Sequence, residues 1–202
     1  YGTYTLQNLM RGRVGTERYM TTHGATDMLV ALDESRLRFI GMNWGSLNLV
    51  NQWRAVTRGY MLDSAADVNL AYTGVNFECL SPVVIKGGKN STGDWTIEWT
   101  RRTRTPVEPF SGLNAPLAES SEAYEVEIYS DNTYTTLKRT LTGLTSASAT
   151  YTSSQQTTDF GVVQKYLYLK VYQLSATVGR GYSATEVVGP TPLLVAQGIR
   201  LR

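Results

Sequence analysis

Three short segments of this chain alternate apolar and polar residues with a period of two, and no other feature restricts the possible folds as much. In 94–100 (DWTIEWT), Trp95, Ile97 and Trp99 fall on one face, with Thr96, Glu98 and Thr100 on the other. In 123–130 (AYEVEIYS), Tyr124, Val126 and Ile128 oppose Glu125, Glu127 and Tyr129. In 166–174 (YLYLKVYQL), Leu167, Leu169 and Val171 oppose Tyr166, Tyr168, Lys170 and Tyr172. Successive side chains point to opposite faces of a strand, whereas a helix returns to one face about every 3.6 residues. Each segment therefore reads as a strand with one face in a core.

Short runs of this kind, separated by turn residues through 81–188, predict an all-β sandwich of the fibronectin type III or immunoglobulin-like kind. Such a fold specifies no activity, so function is expected from loops and partners. Residues 1–80 read as a small, irregular β domain. A strand is predicted through Tyr4, Leu6, Leu9 and Met10, ending at the glycine-punctuated turn 11–15, with 16–23 as its hairpin partner. The apolar run 27–32 has the length of a buried strand, and Asp33-Glu34-Ser35 offers cap chemistry for a turn or two of helix. Further strands are expected within 48–58 and 67–73. Pro82 biases Ser81 toward extended backbone, which suits a junction between β modules. The tail 189–202, with Pro190 and Pro192, reads as extended. A start at Tyr1 rather than Met predicts a piece cut from a longer polypeptide, or a processed chain.

Most functional classes find no chemistry here. Lys and Arg number 19 against 17 Asp and Glu, a net charge of +2, which lacks the basic excess of a nucleic-acid binder. The single cysteine, Cys79, excludes an internal disulfide framework and reads as a small buried apolar residue. His23 is the only histidine, so a cluster of several histidines around a metal is impossible; it reads as an exposed hairpin residue. Residues 87–91 (GGKNS) lack the earlier glycine of a phosphate-binding loop and predict a β-turn. Asp159-Phe160-Gly161 matches a kinase tripeptide by chance, since no glycine-rich loop or catalytic-loop motif accompanies it. Asn90-Ser91-Thr92 fits a glycosylation sequon, another pattern that chance supplies. No apolar run approaches the ~20 residues of a membrane-spanning helix. No catalytic residue, cofactor or metal is expected. Glu125 and Glu127 lie two apart on one face, and a carboxylate of one or the other is expected within ion-pair range of Lys170 across the sheet.

Two features stand out as candidate partner contacts. Arg101, Arg102 and Arg104 cluster just after a core strand, where they could meet an anionic surface polymer or an acidic neighbour. Tyr166, Tyr168 and Tyr172 form an outward stripe of a residue type enriched at interfaces. Arg180 and Tyr182 join them, because 178–182 (VGRGY) falls at the tip joining the last two strands, where sandwiches often bind partners.

The segments LQNLMRGRVGTE (6–17), SPVVIKGG (81–88), WTIEWTRRTR (95–104), ESSEAYEVEIY (119–129), ATYTSSQQTTDFG (149–161) and VYQLSATVGRGYSA (171–184) together resemble one known region. It is the C-terminal part of the large tail-tip protein of siphophages and gene transfer agents, the host-specificity or baseplate hub protein. The resemblance covers most of 81–186 and a short part of the first domain. It implies a structural virion protein at the distal end of the tail, trimeric about the tail axis. Its implied partners are other tail-tip proteins, copies of itself, and a bacterial surface glycan or protein. The competing reading is a carbohydrate-binding or adhesive sandwich, for which Trp44, Trp53 and the tyrosine stripe are the available platforms.

Overall fold

The computed structural model describes residues 5, 7–9, 11–12, 16–24, 26–29, 35, 40–42, 44–105 and 116–190. The chain forms two compact units, Tyr1–Phe77 and Glu78–Arg202. In the first, β1 (Val50–Trp53) pairs antiparallel with β2 (Val68–Ala71), with Val50 opposite Ala71 and Trp53 opposite Val68. Both strands fall inside segments expected to be extended. The Arg54 guanidinium staples the hairpin, bonding both Asp67 oxygens and reaching Asp63 at 3.3 Å. Single 3-10 turns occupy Glu17–Tyr19, Trp44–Ser46, Leu62–Ser64 and Val75–Phe77.

The expected hairpin arm at 16–23 is not formed. The Tyr19 and Met20 amides instead bond back to the carbonyls of Thr16 and Glu17, at 3.0 and 3.1 Å, which consumes the groups a ladder would need. Of the strand expected over 4–10, the described residues 5 and 7–9 carry no strand. Of the run 27–32, expected to be a buried strand, the described residues 27–29 are exposed and carry no strand. Residues 1–4, 6, 10, 13–15, 30–34 and 191–202 lie outside the described residues, and with them the rest of that run, most of the helix cap and most of the tail. Among the described residues, every buried hydrophobic side chain belongs to the second unit.

That unit is an all-β sandwich. One sheet is β3 (Val83–Lys89), β4 (Trp95–Thr100) and β7 (Ser148–Tyr151), in that order. The other runs β10 (Ala184–Val188), β8 (Leu167–Ser175), β5 (Tyr124–Tyr129), β6 (Leu137–Leu144), and the two-residue β9 (Gly179–Arg180) pairs with the end of β8. All pairings are antiparallel. The three faces read from the alternating segments are the core: Trp95, Ile97 and Trp99 pack against Tyr124, Val126, Ile128, Leu167, Leu169 and Val171. Trp99 meets Tyr124 edge to face at 5.2 Å.

Helix α1 (Ser153–Phe160) bridges the two sheets in sequence between β7 and β8. Thr152 and Gln155 form a reciprocal capping box, and Gly161, at φ 78°, closes the helix in the left-handed region. Asp94 also serves this helix: its carboxylate accepts from the Ser153 amide at 2.7 Å. That bond, with those from Thr92 and Asn90, draws the Asp94 pKa down to about 2. Gln156 is fully buried, donating to the Gly93 and Tyr151 carbonyls and accepting from the Gln164 amide. The turn expected at 87–91 falls later: residues 87–89 are the end of β3, paired with β4, and the chain reverses over 90–94, where the Asn90 side chain accepts from the Thr92 and Asp94 amides.

The chain segment before β3 is part of this unit. Cys79 is buried, and its carbonyl accepts from the Tyr182 amide at 3.1 Å, while the Gly181 amide donates to Gln173 at 3.0 Å. A Cβ on Gly181 would lie 2.5 Å from the Cys79 carbonyl oxygen and 2.6 Å from its Cβ. Backbone cannot swing aside as a side chain can, so Gly181→Ala is expected to cost about 1–3 kcal/mol. Thermal unfolding of the variant checks this; an unchanged Tm would refute the close approach.

Candidate functional site

Two of the candidate contacts, Tyr172 and Arg180, meet on the outer face of the larger sheet. Side chains at alternate positions of β5 and β8 leave the core there, and the register sets Glu125 opposite Tyr172, Glu127 opposite Lys170, and Tyr129 opposite Tyr168. An outer face of an antiparallel sheet ordinarily meets water. This one is largely covered, with Glu127 at 6% exposure and Tyr129 at 8%.

The cover comes from two connections. β9 folds back beside β8, Leu174 opposite Arg180, and swings the Arg180 guanidinium over the Tyr172 ring at 4.3 Å. From there it donates to Glu127 Oε1 at 2.8 Å and, through two nitrogens, to Glu125 Oε2. The turn between β5 and β6 places Tyr134 edge-on to Tyr129 at 5.6 Å. Glu127 Oε2 accepts from the Tyr129 hydroxyl at 2.7 Å and the Tyr172 hydroxyl at 2.9 Å. Every strong polar group in this layer thus finds a partner, as buried polar groups must.

The electrostatics follow from that geometry. Burial pushes the Glu127 carboxyl up, but bonds from Tyr129, Tyr172 and Arg180 outweigh it and leave it below the usual carboxylate range. Burial, and then the adjacent Glu127 charge, raise the Tyr129 and Tyr172 phenols. For Arg180, burial opposes the charge, yet the two glutamates hold the guanidinium more firmly protonated than usual.

The expected ion pair to Lys170 is corrected by this arrangement. Lys170 does stand across the ladder from Glu127, but its ammonium lies over the Tyr129 and Tyr134 rings at 4.8 and 5.5 Å. The arginine fork, able to bond both carboxylates in a plane, occupies the position instead.

The other candidates are scattered. Arg101 and Arg102 are half-buried and engaged in contacts of their own after β4. Arg104 donates to Glu119 Oε1 at 2.8 Å and to the Ala118 carbonyl at 3.0 Å. Glu119 in turn faces Cys79, whose thiol pKa is pushed up to about 12, first by burial and then by that carboxylate. Tyr168 is half-buried in the strand, and Tyr182 is half-buried beside the Cys79 carbonyl. Tyr166 precedes β8 and is 43% exposed, apart from the Glu127 layer. His23 is exposed and pairs with Asp27 at 3.1 Å. Trp53 is half-buried in β1, and the Trp44 side chain lies outside the described residues. Among the described residues no cluster of His, Cys, Asp and Glu is arranged to hold a metal, and no helix is long and apolar enough to cross a membrane.

Sequence reasoning missed Tyr134 and the pairing of Arg180 with the glutamates. The available signal was weak: two outward glutamates on one strand demand a cation, and Gly179 (φ 82°) marks a tight return that could bring one.

No family model matches the chain, and no curated protein matches it. Among solved structures it is similar to the rat CD45 extracellular region, domains d3-d4, at 12% identity and a TM-score of 0.36. That match covers 82% of this chain and 76% of the other. A likeness at that level carries no argument about activity, and the fibronectin type III-like assignment rests on the three-plus-four sheet order of the sandwich itself.

Proposed function

We propose that the chain is a structural module of a phage or gene transfer agent tail tip, a fragment of a hub or host-specificity protein that contributes to tip assembly and host-surface attachment. The observation that carries the reading is the placement of the resembling segments. Five of the six fall on one sandwich: on β3, β4, β5, on β7 with α1, and on the end of β8 with β9. A rigid spacer is the physical role such a module suits. β5 is covered on both faces, and its ionisable groups are consumed by internal contacts rather than poised for acid–base chemistry. In a trimeric tip, weak contacts repeated on each copy would raise avidity by about 10²–10⁴ without a tight single site.

Immunogold labelling of phage-like particles from the source culture, with antibodies against this chain, tests the reading. Label confined to the distal tail end is the expected result. Label on the capsid or tail tube would overturn the position, and antigen found only free or on cells would favour the adhesive-module reading.

A further inference from the structure

A second surface, unconnected with the Glu127 layer, has the make-up of a ligand site. Gly87, Lys89, Trp95, Val163, Lys165, Gly189 and Pro190 enclose a cleft of about 430 Å³, within the size range of small-molecule sites. It sits where the end of β3, the start of β4, the α1–β8 connection and the end of β10 meet. Among the described residues that line it none is acidic. Two ammonium groups line it, and among the described residues neither has a carboxylate partner.

Lys89 is held in place. Its Nζ donates to the Gln164 carbonyl at 2.9 Å, the same oxygen that the Trp95 indole N–H approaches at 3.4 Å. One of its three N–H groups is so used and two remain for a ligand. Lys165 reaches out over the ring of Tyr166 at 5.5 Å, and that ring packs against Gly189, so the exposed tyrosine stands beside the cleft. The bare backbone at Gly87 and Gly189 is packed closely, by Val188 and by the Tyr166 ring. Cations without carboxylate partners, beside a tyrosine that is 43% exposed, match a sugar that carries an anionic group: the carboxylate meets the ammoniums and the sugar's C–H groups meet the exposed part of the ring.

We propose that this cleft binds an acidic glycan, with Lys89 and Lys165 holding a sugar carboxylate and Tyr166 supporting the ring. The inference is independent of the tail-tip reading, since it concerns a cleft and not a position in a particle.

The test is calorimetric titration of the whole chain with oligogalacturonate, with neutral dextran and inorganic polyphosphate as the comparison probes. Expected are binding of oligogalacturonate that weakens as salt rises, and none of dextran. Lys89→Gln and Lys165→Gln should each weaken it about tenfold, the cost of one charge-assisted hydrogen bond, while Lys138→Gln should leave it unchanged. Amide shifts of the unsubstituted protein should localise to 87–89, 163–166 and 189, which keeps the test independent of variant folding. Binding of polyphosphate but not oligogalacturonate would overturn the sugar-acid assignment. Absence of binding, or binding unaffected by both lysine substitutions, would overturn the site.

Discussion

Replacing Arg180 by alanine is expected to destabilise the sandwich by about 2–3 kcal/mol. Breaking a fully buried ion pair from one side typically costs about 3–5 kcal/mol, because the remaining charge is stranded. Glu127 is stranded in that sense, its side chain only 9% exposed, but Arg180 is 41% exposed and water screens part of its contribution. The Tyr129 and Tyr172 hydroxyls would still bond Glu127, which also limits the loss. Urea unfolding, with hydrogen exchange read at β5 and β8 amides, measures it. A change below about 0.5 kcal/mol, the range of ordinary surface substitutions, would show that the guanidinium only decorates the face. Glu127→Gln added to Arg180→Ala should recover part of the loss, since it removes the uncompensated charge. The pH dependence has a definite sign. The folded-state pKa of Glu127 is depressed, so its contribution is present above the unfolded value near 4.3 and is lost as pH falls through the lower folded value. The gap between wild type and Arg180→Ala should therefore narrow in acid.

Asp159→Ala should cost more, about 3–5 kcal/mol. Asp159 receives two bonds from Arg139, at 2.6 and 2.8 Å, and one from the hydroxyl of the fully buried Tyr151 at 2.6 Å. Burial raises its pKa, but the Arg139 and Tyr151 bonds win and hold the carboxyl below the usual range. Removing it strands a half-buried guanidinium on β6 and a phenol at the end of β7, and it loosens the last turn of α1. Asp159→Asn should be milder, because the amide oxygen can still accept. Denaturant midpoints of the two variants measure the difference; equal and small losses would mean that α1 is held by Gln156 and its caps alone.

These two sites also show what could and could not be read from the chain. β4, β5 and β8 were legible because each turns apolar residues to the core and mostly polar ones away from it, which writes a period of two into the residue types. β6 was not: at the sheet edge its burial is irregular, and LKRTLTGL carries no clean alternation. α1 has no apolar stripe at all, because the one side chain it buries is Gln156; only Thr152, Gln155 and Gly161 signalled it. Asp159-Phe160-Gly161, read in the sequence as a chance match to a kinase tripeptide, supplies an ion-pair partner, a core-edge ring and a helix cap. For the candidate contacts, the outward direction of Tyr172 and Glu127 followed from local sequence. That Arg180 would close over them depended on a two-residue strand folding back, a tertiary event that no local pattern encodes.

The bond from the Tyr182 amide to the Cys79 carbonyl bears on where this sandwich can be separated from what precedes it. Counting strands would begin an excised domain at Val83, with Pro82 a convenient cut. Such a cut would discard the residue against which Gly181 is packed and leave the Tyr182 amide without its acceptor, loosening the return that carries Arg180 onto the sheet. The functional edge of the domain is therefore Glu78, four residues ahead of Pro82, and any fusion, graft or tether should treat 78–82 as belonging to the sandwich and not to a linker.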